Sequence, residues 1–119
     1  MIGWLGTPTI YLATAPTDLR KAFDGLAALV RHDLGQDPLN GSLYVFCNRR
    51  RDRIKILFRE SSGYWLCIKR LEAGTFRWPR GDTASARYNR EELTLLLGGI
   101  DLAGARRRKW YQRSRPCEK

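Results

Sequence analysis

The sequence predicts an α+β domain: an antiparallel sheet of four to five short strands packed on one long helix, a second short helix, and a basic C-terminal tail. Three observations predict it. Apolar residues recur at helical steps from Leu19 to Leu34, which marks one buried helix face. Four short apolar runs between Leu43 and Pro79 alternate with turn-forming residues, the pattern of an antiparallel meander. Positive charge is gathered into two blocks. Residues 47–80 carry ten basic and three acidic side chains, and residues 104–119 carry seven and one. The rest of the chain is slightly acidic, so a shaped cationic surface on a neutral body is expected, with nucleic acid as its natural polyanion.

The elements follow in order. Residues 8–14, PTIYLAT, read as a first strand. Thr17 is placed to cap a helix over 18–34, with Asp18 in its first turn and Gly35 as its stop. Gly25 is a weak point unless a neighbour packs closely there. DPLNG (37–41) is a loop. The runs LYVFC (43–47), RIKILFR (53–59), YWLCIKR (64–70) and TFRWP (75–79) read as strands. In the second of these, Ile54, Ile56 and Phe58 share one face, and Lys55 and Arg59 are expected on the side away from the core. Residues 80–88 are irregular or a last strand. Asn89, with Glu92 three residues on, forms a capping box for a helix over 89–98 whose apolar stripe is Leu93, Leu96 and Leu97.

At 119 residues the chain suits one domain, expected over 1–103, followed by a flexible tail over 104–119. Hydrophobic residues make up 43% of it, enough for a core. No apolar run approaches the ~20 residues of a membrane span. Met1–Tyr11 contains no Lys or Arg, unlike a secretory leader, so a cytoplasmic protein is expected with no membrane partner. Cys47 and Cys67 sit in apolar runs and read as buried, reduced thiols, able to pair only if their strands are neighbours. Cys117 reads as exposed. A single histidine, His32, and the lack of any C-x-x-C pair argue against a zinc site.

Three groups of residues are candidates for function. The first is the NRRRDR turn, with Arg49, Arg50, Arg51 and Arg53, and Lys55 beyond it. A turn crowded with guanidinium groups repels itself unless phosphates or acidic groups neutralise it; the plain alternative is a solvated turn that guards a sheet edge. The second is the tail, with Arg106, Arg107, Arg108, Lys109, Trp110 and Tyr111, where aromatics among cations suit base stacking or docking on a protein. The third is the stretch Trp65, Lys69, Arg70, Phe76, Arg77, Trp78 and Arg80; its cations extend the candidate surface, while Phe76, Trp78 and Trp65 read more naturally as packing. Catalysis finds little support. The acids are scattered, and no converging carboxylates, nucleophile–base pair or phosphate loop stands out. No catalytic residue, metal or cofactor is assigned.

The segments PTDLRKAFDGLAALV (16–30), FCNRRRDRIKILF (46–58), GYWLCIKRLEAGTFRWP (63–79) and LLLGGIDLAGARRRKWY (95–111) together resemble one family. It is the small accessory protein, often called TnpB, of bacterial insertion sequences of the IS-sixty-six type. The likeness runs from about Pro8 to Tyr111, in order. It implies a protein needed for transposition that works beside a separate transposase and a second small accessory protein, and it carries no catalytic residues over. It draws attention to NRRRDR (48–53) and RLEAGTFRWP (70–79) as functional surface.

The expected function is therefore a non-catalytic accessory factor that binds DNA, assists the transposase, or both. The alternative is a protein–protein adaptor that grips the transposase or the second accessory protein without touching DNA. A metal-dependent nuclease is the remote alternative. Oligomeric state is left open by the sequence.

Overall fold

The computed structural model describes residues 8–98 together with the backbone of 100–101 and 106–107. Five strands form one sheet: β1 (Ile10–Ala13), β2 (Leu43–Cys47), β3 (Arg53–Glu60), β4 (Gly63–Arg70) and β5 (Ser85–Tyr88). They lie in the order β4-β3-β2-β1-β5. Two helices accompany them, α1 (Phe23–His32) and α2 (Arg90–Leu97). A short antiparallel pair, β6 (Ile100–Asp101) and β7 (Arg106–Arg107), follows α2. The rest of the predicted tail lies outside the described residues.

The sheet is mixed, which corrects the wholly antiparallel expectation. β1 and β2 run parallel, with Ile10 opposite Leu43 and Leu12 opposite Val45. The other pairings are antiparallel. The cause is the connection: residues 14–42 carry α1 between β1 and β2, and a long helical crossover returns the chain in the same direction.

β2 is buried at every position. It is central and covered on both faces, so its sequence is continuously apolar rather than alternating. Tyr44 and Phe46 face α1, packing with Leu26, Ala27, Val30 and Leu57. Leu43, Val45 and Cys47 face the opposite way, onto Leu71, Phe76, Trp78, Leu93 and Leu96. The expectation of a sheet packed on one long helix is thus corrected to a sheet covered on both faces. Residues 75–79 are no strand either. They cross that second face as irregular chain, with Phe76 and Trp78 buried.

α1 is also shorter than 18–34. Asp18 spends its carboxylate on Arg20, accepting from its backbone N (3.0 Å) and from its guanidinium (2.8 Å). Thr17 donates its backbone N–H to the carbonyl of Cys47. The segment before Phe23 is therefore tied to β2, and the cap position falls to Ala22, which has no side-chain cap. A Cβ on Gly25 would stand 3.0 Å from the Cβ of Lys21, so the chain enters the helix too closely for a larger residue. The C-terminal stop is as read: Gly35 has φ 65°, and Gln36 N–H reaches back to the carbonyl of Val30, a left-handed glycine cap. α2 carries its capping box, with Glu92 N–H donating to Asn89 Oδ1 (2.7 Å) and Asn89 N–H to Glu92 Oε1 (2.8 Å).

Cys47 is buried, and desolvation pushes its thiol up to about 12. It stays protonated at neutral pH. β3 lies between the strands of Cys47 and Cys67, and their partners on it, Ile54 and Ile56, are two residues apart, so more than two inter-strand spacings, over about 9.6 Å, separate them. That exceeds the reach of a disulfide.

Candidate nucleic-acid interface

The arginine turn is closed by a dense set of hydrogen bonds. Asn48 organises it: its Oδ1 accepts from the backbone N–H groups of Asp52 and Arg53, both at 3.1 Å, and its Nδ2 donates to Asp52 Oδ1 at 2.7 Å. Asn48 N–H closes the loop onto the carbonyl of Arg53, and Arg51 N–H onto that of Asn48. Arg51 sits at φ 63°, a left-handed conformation that a non-glycine residue holds at some cost.

The segment 70–78 braces the turn from outside. Leu71 N–H donates to the carbonyl of Asp52 (2.8 Å), and Phe76 N–H to that of Arg51 (2.7 Å). Phe76 and Trp78 anchor the segment in the core, and Trp78 Nε1 donates to the carbonyl of Ala13 (2.8 Å). The NRRRDR and RLEAGTFRWP blocks are thus two halves of one structure. The second holds the first in shape.

The predicted cations divide into two sets. Arg49, Arg50 and Arg53 are exposed on the turn, and Arg51 is half-buried. Arg53 lies directly opposite Arg70 in the sheet register, and exposed Arg77 follows the Phe76 brace. These six gather at the end of the sheet where β2 and β4 finish and β3 begins. Arg70 also meets Glu72 at 3.4 Å, an exposed pair of little energetic weight.

Lys55 and Lys69 are already engaged. Lys55 Nζ donates to the carbonyl of Lys21 (2.9 Å), tying β3 to the entry of α1. Lys69 Nζ donates to the carbonyl of Leu97 (2.8 Å) and so caps the end of α2. The expectation that Lys55 and Arg59 project away from a core is corrected, because α1 covers that side too. Arg59 lies 5.9 Å from the ring centroid of Tyr64. Arg106 and Arg107 contribute backbone to β7. Arg108, Lys109, Trp110 and Tyr111 lie outside the described residues.

Asp52 is the one acid within the turn. The Asn48 amide, and then the nearby charges of Arg50 and Arg53, hold its carboxyl below the usual carboxylate range. A carboxyl lowered in the folded state contributes stability above its ordinary pKa and loses that contribution as pH falls through the lowered value. Asn48→Ala removes the largest cause of the shift. It also strips two backbone N–H groups of their acceptor, a loss of about 1–3 kcal/mol. The expected result is a lower urea midpoint at pH 7 and a smaller fall in stability between pH 5 and 3 than in the wild type. Equal midpoints would show that the turn holds without Asn48.

Among the described residues, no three of His, Cys, Asp and Glu gather as metal ligands would, and no helix is long and apolar enough to cross a membrane. A braced sheet end of this kind gathers guanidinium groups whose chemistry suits a polyanion or an acidic surface. Comparison with known proteins supplies the particular family. Residues 8–107 match the family model described as IS66 Orf2 like protein, and the chain belongs to that family of insertion-sequence accessory proteins. It is 36% identical over 108 residues to the uncharacterized protein y4jC of Sinorhizobium fredii, spanning 91% of this chain and 92% of the relative. It is also 36% identical over 92 residues to the uncharacterized protein y4hO of the same organism, spanning 77% of this chain and 80% of the relative. No solved structure matches.

Proposed function

We propose that this chain is a non-catalytic accessory protein of DNA transposition that grips DNA phosphates through the arginines at one end of its sheet. The observation that carries the reading is the shared position of Arg49, Arg50, Arg51, Arg53, Arg70 and Arg77 at one sheet end, around a braced turn. Like charges held this close repel one another, and a phosphate backbone relieves that repulsion while offering each guanidinium two acceptor oxygens. Lys55 and Lys69 act by bracing this surface. The basic residues Arg106–Arg108 and Lys109, with Trp110 and Tyr111, add phosphate and base-stacking contacts. The transposase and the second small accessory protein of the element are its partners, in the cytoplasm. Phosphate contacts fix position without reading sequence, so target choice belongs to those partners.

The test is fluorescence anisotropy with an element-end duplex, an unrelated duplex and a single strand, each across a salt series. The expected result is near-equal binding of both duplexes with a steep loss on adding salt. Tighter binding of the element end would add base readout to the proposal. No binding at 0.1 M salt would sink it and leave the adaptor reading.

A further inference from the structure

β4 ends the sheet, and among the described residues nothing pairs with its outer edge. The phase of its backbone follows from its neighbours. Glu60 and Gly63 close a two-residue turn, so they form a hydrogen-bonded pair. Such pairs recur at every second residue, and Trp65, Cys67 and Lys69 therefore turn their backbone groups toward β3. The bond from Leu71 N–H to the carbonyl of Asp52, one step beyond the strand, has the same phase. The N–H and C=O groups of Tyr64, Leu66, Ile68 and Arg70 point outward.

This edge is long and weakly guarded. Proteins usually blunt an exposed edge with charge, proline, a bulge or shortness. β4 has eight residues, and charge appears only at its end. Its middle exposes Trp65 (42%) and Ile68 (63%), both large and apolar.

The geometry points to a second copy of this chain as the occupant, added antiparallel through β4 about a two-fold axis at Cys67. A two-fold pairing of antiparallel strands must centre on a residue, because opposite side chains share a face. Centred on Cys67, it sets Leu66 opposite the partner's Ile68 and Tyr64 opposite the partner's Arg70. Every outward N–H and C=O from Tyr64 to Arg70 then finds a complement. Centring on Leu66 instead leaves Arg70 beyond the pairing. The side chains agree with the first register. Leu66 meets an isoleucine, Tyr64 meets a guanidinium that stacks on its ring, and Trp65 lies beside the stem of the partner's Lys69. No cation faces a cation. A parallel pairing in register would set Lys69 against the partner's Lys69 and Arg70 against the partner's Arg70.

The experiment uses the full chain in sedimentation velocity, from about 10 to 300 µM, since a strand-edge interface is small and self-association correspondingly weak. The expected result is a concentration-dependent dimer, stronger at 0.3 M than at 0.05 M salt because two chains of formal charge +10 repel. That salt response is opposite in sign to DNA binding, so either reading can fail without the other. Ile68→Pro removes an outward donor that β3 does not use, and edge strands tolerate proline there. It should give monomer with an unchanged melting temperature. If it misfolds, Ile68→Lys serves, setting a charge opposite the partner's Leu66. In the dimer the two Cys67 Cα atoms form a non-hydrogen-bonded pair about 4.5 Å apart, within disulfide range. In a Cys117→Ser background, which removes the thiol beyond Gly104, copper phenanthroline, which takes the two electrons from the thiols, should cross-link the chain and its Cys47→Ser variant but not its Cys67→Ser variant. A monomer at every concentration, a dimer indifferent to both Ile68 changes, or a cross-link that survives Cys67→Ser in the Cys117→Ser background would overturn the proposal.

Discussion

Replacing Arg49, Arg50 and Arg53 together with alanine is expected to cut DNA affinity roughly 10²–10³-fold at 0.1 M salt and to flatten its salt dependence. The arithmetic is that of counterion release. Each phosphate neutralised contributes about 0.9 to the slope of log affinity against log salt, so three lost contacts lower its magnitude by about 2.7. Carried over one decade of salt, that slope difference gives the loss stated. The three side chains are exposed, and the hydrogen bonds that shape the turn run through Asn48 and the backbone. Fold stability should therefore move by no more than about 0.5 kcal/mol. A lysine triple variant is the informative control. It keeps the charge and hence most of the slope, but loses the planar fork and so some affinity. An alanine variant with an unchanged slope would put the contacts elsewhere on the chain, the basic residues beyond Gly104 first among them.

What the sequence disclosed and what it hid divide along the range of the interactions. The capping box of α2 needs only Asn89 and Glu92, three residues apart, and it was legible with its boundaries. The glycine stop of α1 was legible for the same reason. β2, β3 and β4 were legible as hairpin neighbours, because turns set their register locally. The parallel pairing of β1 and β2 was not read, although the succession of strand, helix and strand is itself the signal of a crossover. Residues 75–79 misled because Phe76 and Trp78, two apart, imitate strand alternation. They share a side because the segment lies across the sheet, which no local rule states.

The candidate surface shows the same division. The charge of the 48–53 turn is plain in four arginines within five residues. Its stiffness is not, because the braces come from Leu71 and Phe76 on another segment. Lys55 and Lys69 look like surface cations in any pattern. Their ammonium groups meet the carbonyls of Lys21 and Leu97 only because the chain path brings those carbonyls near. Thr17 was read as a helix cap and instead ties the chain to Cys47. In each case tertiary structure supplies a partner that the local pattern does not name.

Trp78→Ala is expected to destabilise the domain by about 3–5 kcal/mol, the usual loss for a large aromatic removed from a core. Trp78 is 8% exposed, and its indole N–H holds the carbonyl of Ala13 at the end of β1. Truncation opens a void on the second face of the sheet and leaves that carbonyl without its donor. A domain of this size has about 5–15 kcal/mol of stability in all, so the variant sits near its limit. Trp78→Phe separates the two contributions. It restores most of the volume without the donor, and it should lose about 1–3 kcal/mol. Urea midpoints measure both, and hydrogen exchange at Ile10–Ala13 should quicken in each. The consequence for function follows from the bracing. Arg77 stands between the anchors Phe76 and Trp78, so releasing Trp78 releases one cation from the cluster. In conditions where Trp78→Ala still folds, its DNA salt slope should fall by about one, whereas Trp78→Phe should keep the wild-type slope. A loss below about 1 kcal/mol for the alanine variant would show that the 70–78 segment rests on the sheet without holding it. The turn would then owe its shape to Asn48 alone.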